Sequence, residues 1–193
     1  MASKEDAILG LFFNWPSKHW HFEEILKKAK VSRSKASKWL RAFRKEGLIL
    51  RIKEKGKMPY FIAHFDAPAY RTRKRIFGLQ MLHRFGLMNH LMSLQAKTVI
   101  IFGSFSRSDW HGKSDVDIFI QGKEDDFDPA PYEKALKRQI HAFFPDSGSD
   151  FRKFSVFFLQ NVIKGYRLKG ELDDIVKHGY AEILLPKGAA PES

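Results

Sequence analysis

The stretch from Thr98 to Ile120, TVIIFGSFSRSDWHGKSDVDIFI, constrains this chain more than any other. An apolar run, Thr98 to Phe102, reads as a strand. Gly103-Ser104 ends it, a polar segment follows, and Ser114-Asp115-Val116-Asp117 enters a second apolar strand. Side chains alternate faces along a strand, so Asp115 and Asp117 project to the same side. Two carboxylates beside a Gly-Ser turn suit a hard divalent cation such as Mg²⁺, which prefers oxygen ligands and keeps substrate phosphates among them. Gly103 lets backbone approach a phosphate closely, and Ser104 adds a hydroxyl donor.

A chain of 193 residues can hold one large or two small domains. It is 44% hydrophobic and 14% aromatic, enough for packed cores. It contains no cysteine, which excludes disulfides, thiolate metal sites and cysteine nucleophiles. No apolar run is long enough to span a bilayer, and the N-terminus lacks a signal peptide's apolar region. The expectation is a soluble cytoplasmic protein with no membrane partner. The net charge of +12 is unevenly placed: residues 1–75 carry 19 Lys and Arg against 7 Asp and Glu, while the remainder balances at 15 of each. Positive charge concentrated in this way is an electrostatic footprint for a polyanion, usually nucleic acid.

Apolar spacing predicts helices over Lys4 to Asn14, Phe22 to Ala29 and about Ser34 to Glu46, the last with Ala36, Trp39, Leu40 and Phe43 inward and Ser32 or Ser34 as its cap. Gly47 closes it. Leu48 to Ile52 and Pro59 to Ala63 alternate like two strands around Lys53 to Lys57, where Gly56 suits the turn. A long helix runs from Pro68 to about Arg84, basic at first and apolar later (Ile76, Leu79, Leu82), and Gly86 breaks it before Leu87 to Leu94. The apolar stripe is read as packing the two domains, or two protomers of a homodimer, together. Downstream, a helix over Pro131 to Lys137, a strand over Arg138 to Phe144 and a helix over Phe154 to Ile163 are expected. Leu172 to Val176 and Tyr180 to Leu185 are read as a hairpin, and the segment from Lys187 as a disordered tail. The eight histidines form no strong metal-binding pattern. Arg84 and His90 give an R-x5-H spacing similar to one RNase family, but the layout lacks the all-helical fold that family needs.

Gly103, Ser104, Ser114, Asp115 and Asp117 resemble the motif of the DNA polymerase β-like nucleotidyltransferases: strand, Gly-Ser, about ten residues, then Asp-x-Asp on the next strand. The chain is most similar to the minimal domains of archaea and bacteria, and Gly165 to Gly170 resembles their closing segment, a helix ending in a glycine turn. The resemblance implies that Asp115 and Asp117 hold Mg²⁺ and carry catalysis. It implies that Gly103 and Ser104, with Ser114 and Arg107, bind the phosphates of ATP or another nucleoside triphosphate. Active members add a third carboxylate on the following strand. Here that strand has none, and Gln139 or His141 takes the position, with Asp150 the nearest downstream carboxylate.

Three helices and a basic hairpin resemble a winged helix-turn-helix. That resemblance places Arg33, Lys35, Lys38, Arg41 and Lys45 on the exposed side of the third helix and Arg51, Lys53, Lys55 and Lys57 in the wing, facing duplex DNA. A protein partner or dimerisation on this face is the competing reading. The expected organisation is α+β: a winged helix over 1–66, a helical linker over 67–96, a nucleotidyltransferase α/β domain with a small mixed sheet over 97–186, and a tail over 187–193. The implied function is transfer of a nucleoside monophosphate, AMP from ATP, to a protein or nucleic acid hydroxyl. The alternative is a DNA-binding regulator whose second domain has lost catalysis.

Overall fold

The computed structural model describes residues 3–145, 150–173 and 175–177. The chain divides into two compact units, Met1–Gly78 with Ser108–Ser114, and Leu79–Arg107 with Asp115–Ser193.

In the first unit, α1 (Lys4–Asn14) starts at a capping box in which Ser3 Oγ accepts the Asp6 N–H (2.9 Å) and Asp6 accepts the Ser3 N–H (3.3 Å). It buries Ile8, Leu9, Leu11, Phe12 and Phe13. Strand β1 (Trp20–His21), α2 (Phe22–Ala29) and α3 (Arg33–Lys45) follow. Ser32 caps α3, which buries Ala36, Leu40 and Phe43, while Trp39 is half-buried and stacks on Phe43. Gly47, at φ +73°, turns the chain out of α3. Strands β2 (Ile49–Ile52) and β3 (Tyr60–Ala63) pair antiparallel, and β1 adds to β3, so the sheet order is β1-β3-β2. β1 is too short to show an alternating pattern and was expected only as the approach to α2.

The rest of this core comes from residues distant in sequence. On α4 (Pro68–Arg84), Tyr70 is buried and its hydroxyl donates to the Phe12 carbonyl at 3.0 Å. Lys74, part of the basic start of this helix, is 2% exposed, with its ammonium 4.9 Å from the centroid of the Trp110 ring. Trp110 is wholly buried and packs edge-on against Phe13 (6.1 Å) and stacked on Phe77 (6.2 Å). A cation over an indole face is held by the ring quadrupole, which compensates part of the ammonium's lost hydration. The helix turns 100° per residue, so with Tyr70, Lys74 and Phe77 inward, Ile76 falls on the outer side. It is exposed.

In the second unit, α5 (Leu87–Ser93) leads into β4 (Thr98–Phe102), whose five residues are all buried. A short helix α6 (Ser104–Arg107), β5 (Val116–Gln121), α7 (Ala130–Leu136), β6 (Ile140–Phe143), α8 (Val156–Ile163) and β7 (Tyr166–Lys169) complete it. The sheet order is β6-β5-β4-β7, with β5 parallel to β6 through α7 and the other pairs antiparallel. One face packs Ile100, Phe102 and Phe119 against Phe151, Leu159, Val162 and Ile175.

Two expectations change here. Tyr166 to Lys169, expected to lie in a glycine turn that ends a helix, is an edge strand on β4. Its polar residues tolerate the exposed side of an edge, which removes the hydrophobic alternation a reader of sequence relies on. Leu172 to Val176, read as half of a hairpin, instead enters a helical turn, in which the Val176 N–H donates to the Leu172 carbonyl at 2.8 Å. The other half of that hairpin and the expected tail lie outside the described residues. No helix among the described residues is long and apolar enough to cross a membrane.

Candidate active site

β4 and β5 are neighbours because both are apolar, and their antiparallel register sets Phe102 opposite Asp117. Gly103, the next residue after β4, adopts φ +68°. A Cβ there would run into the Asp117 carboxylate, so the absence of a side chain at 103 is what admits the carboxylate. Ser104 opens α6 and is half-buried.

Asp117 is half-buried on β5, and Asp115 lies two residues earlier, just before the strand. Burial raises the Asp117 carboxyl above its ordinary range. His141 opposes that shift, the Asp115 charge adds to it, and Arg107 opposes it. Arg107 donates to Asn161 Oδ1 at 2.9 Å, which steers its guanidinium. Ser114 Oγ accepts the His111 N–H at 2.9 Å, closing the turn before Asp115.

The parallel β5–β6 register pairs Asp117 with His141, and His141 Nδ1 lies 3.7 Å from Asp117 Oδ1. Of the two residues read for the third position, His141 is therefore the one beside Asp117. Gln139 precedes β6 and gives its carbonyl to the Val116 N–H at 2.9 Å. Asp150 opens a 3-10 turn, Asp150–Lys153.

Arg138 was read only as the start of a strand. It is 9% exposed, its guanidinium lies 5.4 Å from the Phe105 ring centroid, and burial lowers its pKa while the Asp115 charge raises it. No periodicity in the sequence announces it.

The site thus presents two half-buried carboxylates, Asp115 just before β5 and Asp117 on it, beside the turn at Gly103. Two aspartates with room for phosphate oxygens fit a Mg²⁺ ion, which takes one or two protein carboxylates and completes its shell from substrate and water. No group of three or more His, Asp or Glu among the described residues is arranged to hold a metal by itself.

Residues 88–176 match the family model of the nucleotidyltransferase domain. The matched stretch takes in nearly all of α5, the four-stranded sheet and α6 to α8, and the match supports nucleotidyl transfer, with a nucleoside triphosphate as substrate, as the general activity. Neither a curated protein nor a solved structure matches the chain.

The basic residues read for nucleic acid all lie in the first unit, outside the matched nucleotidyltransferase domain. Arg33, Lys35, Lys38, Arg41 and Lys45 are exposed along α3, and Lys53, Lys55 and Lys57 are exposed between β2 and β3. Arg33 pairs with Glu23 at 2.5 Å and Lys57 with Glu54 at 2.5 Å, so these two are partly neutralised.

Proposed function

We propose that the protein transfers a nucleoside monophosphate from ATP, or another nucleoside triphosphate, to a protein or nucleic acid hydroxyl, guided by an N-terminal unit that binds duplex DNA. The observation that carries the reading is the fit of the Asp117 carboxylate against the Cβ-less Gly103, with Asp115 two residues before it. In this reading Gly103 and Ser104 receive the β- and γ-phosphates, with Arg107 neutralising them and Ser114 ordering the turn. Asp115 and Asp117 hold Mg²⁺, which would stabilise charge on the attacking and leaving oxygens. The acceptor oxygen bonds to the α-phosphorus while the bond from that phosphorus to the bridging oxygen breaks. The leaving pyrophosphate takes the electron pair.

The order α1-β1-α2-α3-β2-β3, with basic side chains on α3 and in the hairpin loop, supports a winged helix-turn-helix as the guide. Domains over 1–66 and 97–186, a helical segment over 67–96 and a cytoplasmic setting belong to the same proposal. Labelled nucleotide transfer in a cell lysate tests it: a labelled product with wild type and none with Asp117→Ala supports the reading.

His141 beside Asp117, where the resemblance expects a carboxylate, favours a second reading: a DNA-binding regulator whose second unit senses nucleotide without chemistry. The same lysate assay yields no product in that case, while Mg²⁺ and ATP still raise the melting temperature.

A further inference from the structure

Arg41 and Arg44 stand one turn apart on α3, and Arg51 lies on β2, the strand that α3 feeds through Gly47. The three guanidiniums line two adjoining concavities. One, of about 380 Å³, is completed by Phe22, Ser37, Leu40 and Phe61. The other, of about 490 Å³, is completed by Lys45, Ile49 and Leu50. All three arginines are exposed, and none pairs with a carboxylate among the described residues. Arg41 does no more than donate to its own helix, at the Ser37 carbonyl (3.3 Å).

Three unpaired like charges around one hollow repel one another, and an anion relieves that repulsion. The hollows are sized for small-molecule groups. Their floors are apolar: Leu40 is 2% exposed and Phe61 8% exposed, and the rim carries Leu50 at 40% exposed. A duplex offers this surface its phosphates and the edges of its bases, but its base faces are covered by stacking. A single strand offers phosphates for the arginines and an unpaired base for the apolar floor. We infer that the Arg41–Arg44–Arg51 tract between α3 and β2 is a binding groove for single-stranded nucleic acid, taking phosphates on the guanidiniums and a base in the flanking hollow. This rests on the reading that the first unit binds nucleic acid. It adds Arg44, which the duplex reading does not use, moves Arg51 from the wing to the groove, and changes the form of the ligand.

The test uses the full chain and a fluorescently labelled oligothymidylate, followed by anisotropy at several salt concentrations. Arg44→Ala with Arg51→Ala should weaken binding about tenfold or more at low salt and reduce the log–log salt slope by about 1.4, since each phosphate contact on a single strand contributes about 0.7. Lys27→Ala with Lys28→Ala, two exposed lysines on α2, removes the same charge elsewhere and should leave affinity within about twofold. Inorganic triphosphate should displace the strand only at much higher phosphate concentration, because it has no base. Equal losses in both double variants would reduce the effect to general charge and overturn the inference. So would displacement by triphosphate, phosphate for phosphate. A single strand that does not bind while a duplex does would overturn the groove and leave the duplex reading standing; absence of both would sink the two together.

Discussion

His141 Nδ1 lies 3.7 Å from Asp117 Oδ1 because the two residues are partners in the parallel β5–β6 register. A histidine thus borders the aspartate pair where a third carboxylate would stand. Under the transfer reading, His141 orients Asp117 toward the metal. His141→Ala should then lower the transfer rate about 10- to 100-fold, the usual cost of losing a group that orients a ligand. His141→Asp should retain more activity than His141→Ala. Initial rates with labelled nucleotide compare them, and equal rates in all three proteins would remove His141 from the mechanism.

The Asp117 carboxyl is raised by burial and by the charge of Asp115, so the ionised form is held at a cost in stability. Such strain is common where charge awaits a ligand. Asp117→Asn should melt no lower than wild type in metal-free buffer. Mg²⁺ with ATP should raise the wild-type melting temperature, as any ligand specific for the folded state does, and leave the variant unchanged. Scanning calorimetry in both buffers decides it. A shift that survives in the variant would place the nucleotide elsewhere.

Gly103 couples backbone to chemistry. Gly103→Ala forces a side chain into a left-handed conformation, which costs about 1–2 kcal/mol, and pushes its methyl against the Asp117 carboxylate. The expected result is a lower midpoint in urea together with loss of the nucleotide-induced shift. A stable variant that still binds nucleotide normally would contradict this close approach.

Much of this site can be read from sequence because its parts are local. Gly103 and Ser104 follow directly on an apolar strand, and Asp115 and Asp117 are separated by one residue, so strand alternation alone places them together. What could not be read depends on register between distant segments. His141 and Gln139 were indistinguishable until β6 was paired to β5, and Arg138 had no local mark of burial. The same holds in the first unit. The helices over 4–14 and 22–29 follow from apolar spacing, and that over 33–45 from spacing and its serine cap. Trp110, which sits in the polar loop of the nucleotide motif, completes the core around Phe13, Tyr70 and Phe77, and no periodicity in the loop signals that. β7 was hidden by its polar edge residues.

The position of Trp110 carries its own prediction. It is 0% exposed and contacts two aromatic rings and the Lys74 ammonium. Trp110→Ala should destabilise the protein by about 3–5 kcal/mol, the range for deleting a large buried aromatic. Tyr70→Phe, which removes only the hydroxyl donated to Phe12, should cost about 1 kcal/mol. Urea denaturation measures both. A Trp110→Ala cost below that of Tyr70→Phe would mean that the loop contributes little to this core.

The last prediction concerns duplex DNA. All of the net +12 lies on residues 1–75, and exposed lysines and arginines line α3 and the loop between β2 and β3. A fragment ending near residue 66 would lose Tyr70, Phe77 and Trp110 from the core of this unit, so the full chain is the appropriate protein for the measurement. Each phosphate neutralised on a duplex releases counterions and contributes about −0.9 to the slope of log affinity against log salt. Arg41→Ala on α3 and Lys55→Ala in the loop should each reduce that slope by about one if each touches a phosphate. Lys57→Ala should change it less, because Lys57 is already paired with Glu54 at 2.5 Å. Asp115→Asn, in the second unit, should leave it unaltered. Anisotropy of a labelled duplex across a salt series gives the slopes. A protein-binding role for this face predicts the reverse: weak DNA affinity, and sensitivity at apolar surface positions such as Leu50, which is 40% exposed. A flat salt response, or no binding at low salt, would end the case for duplex DNA.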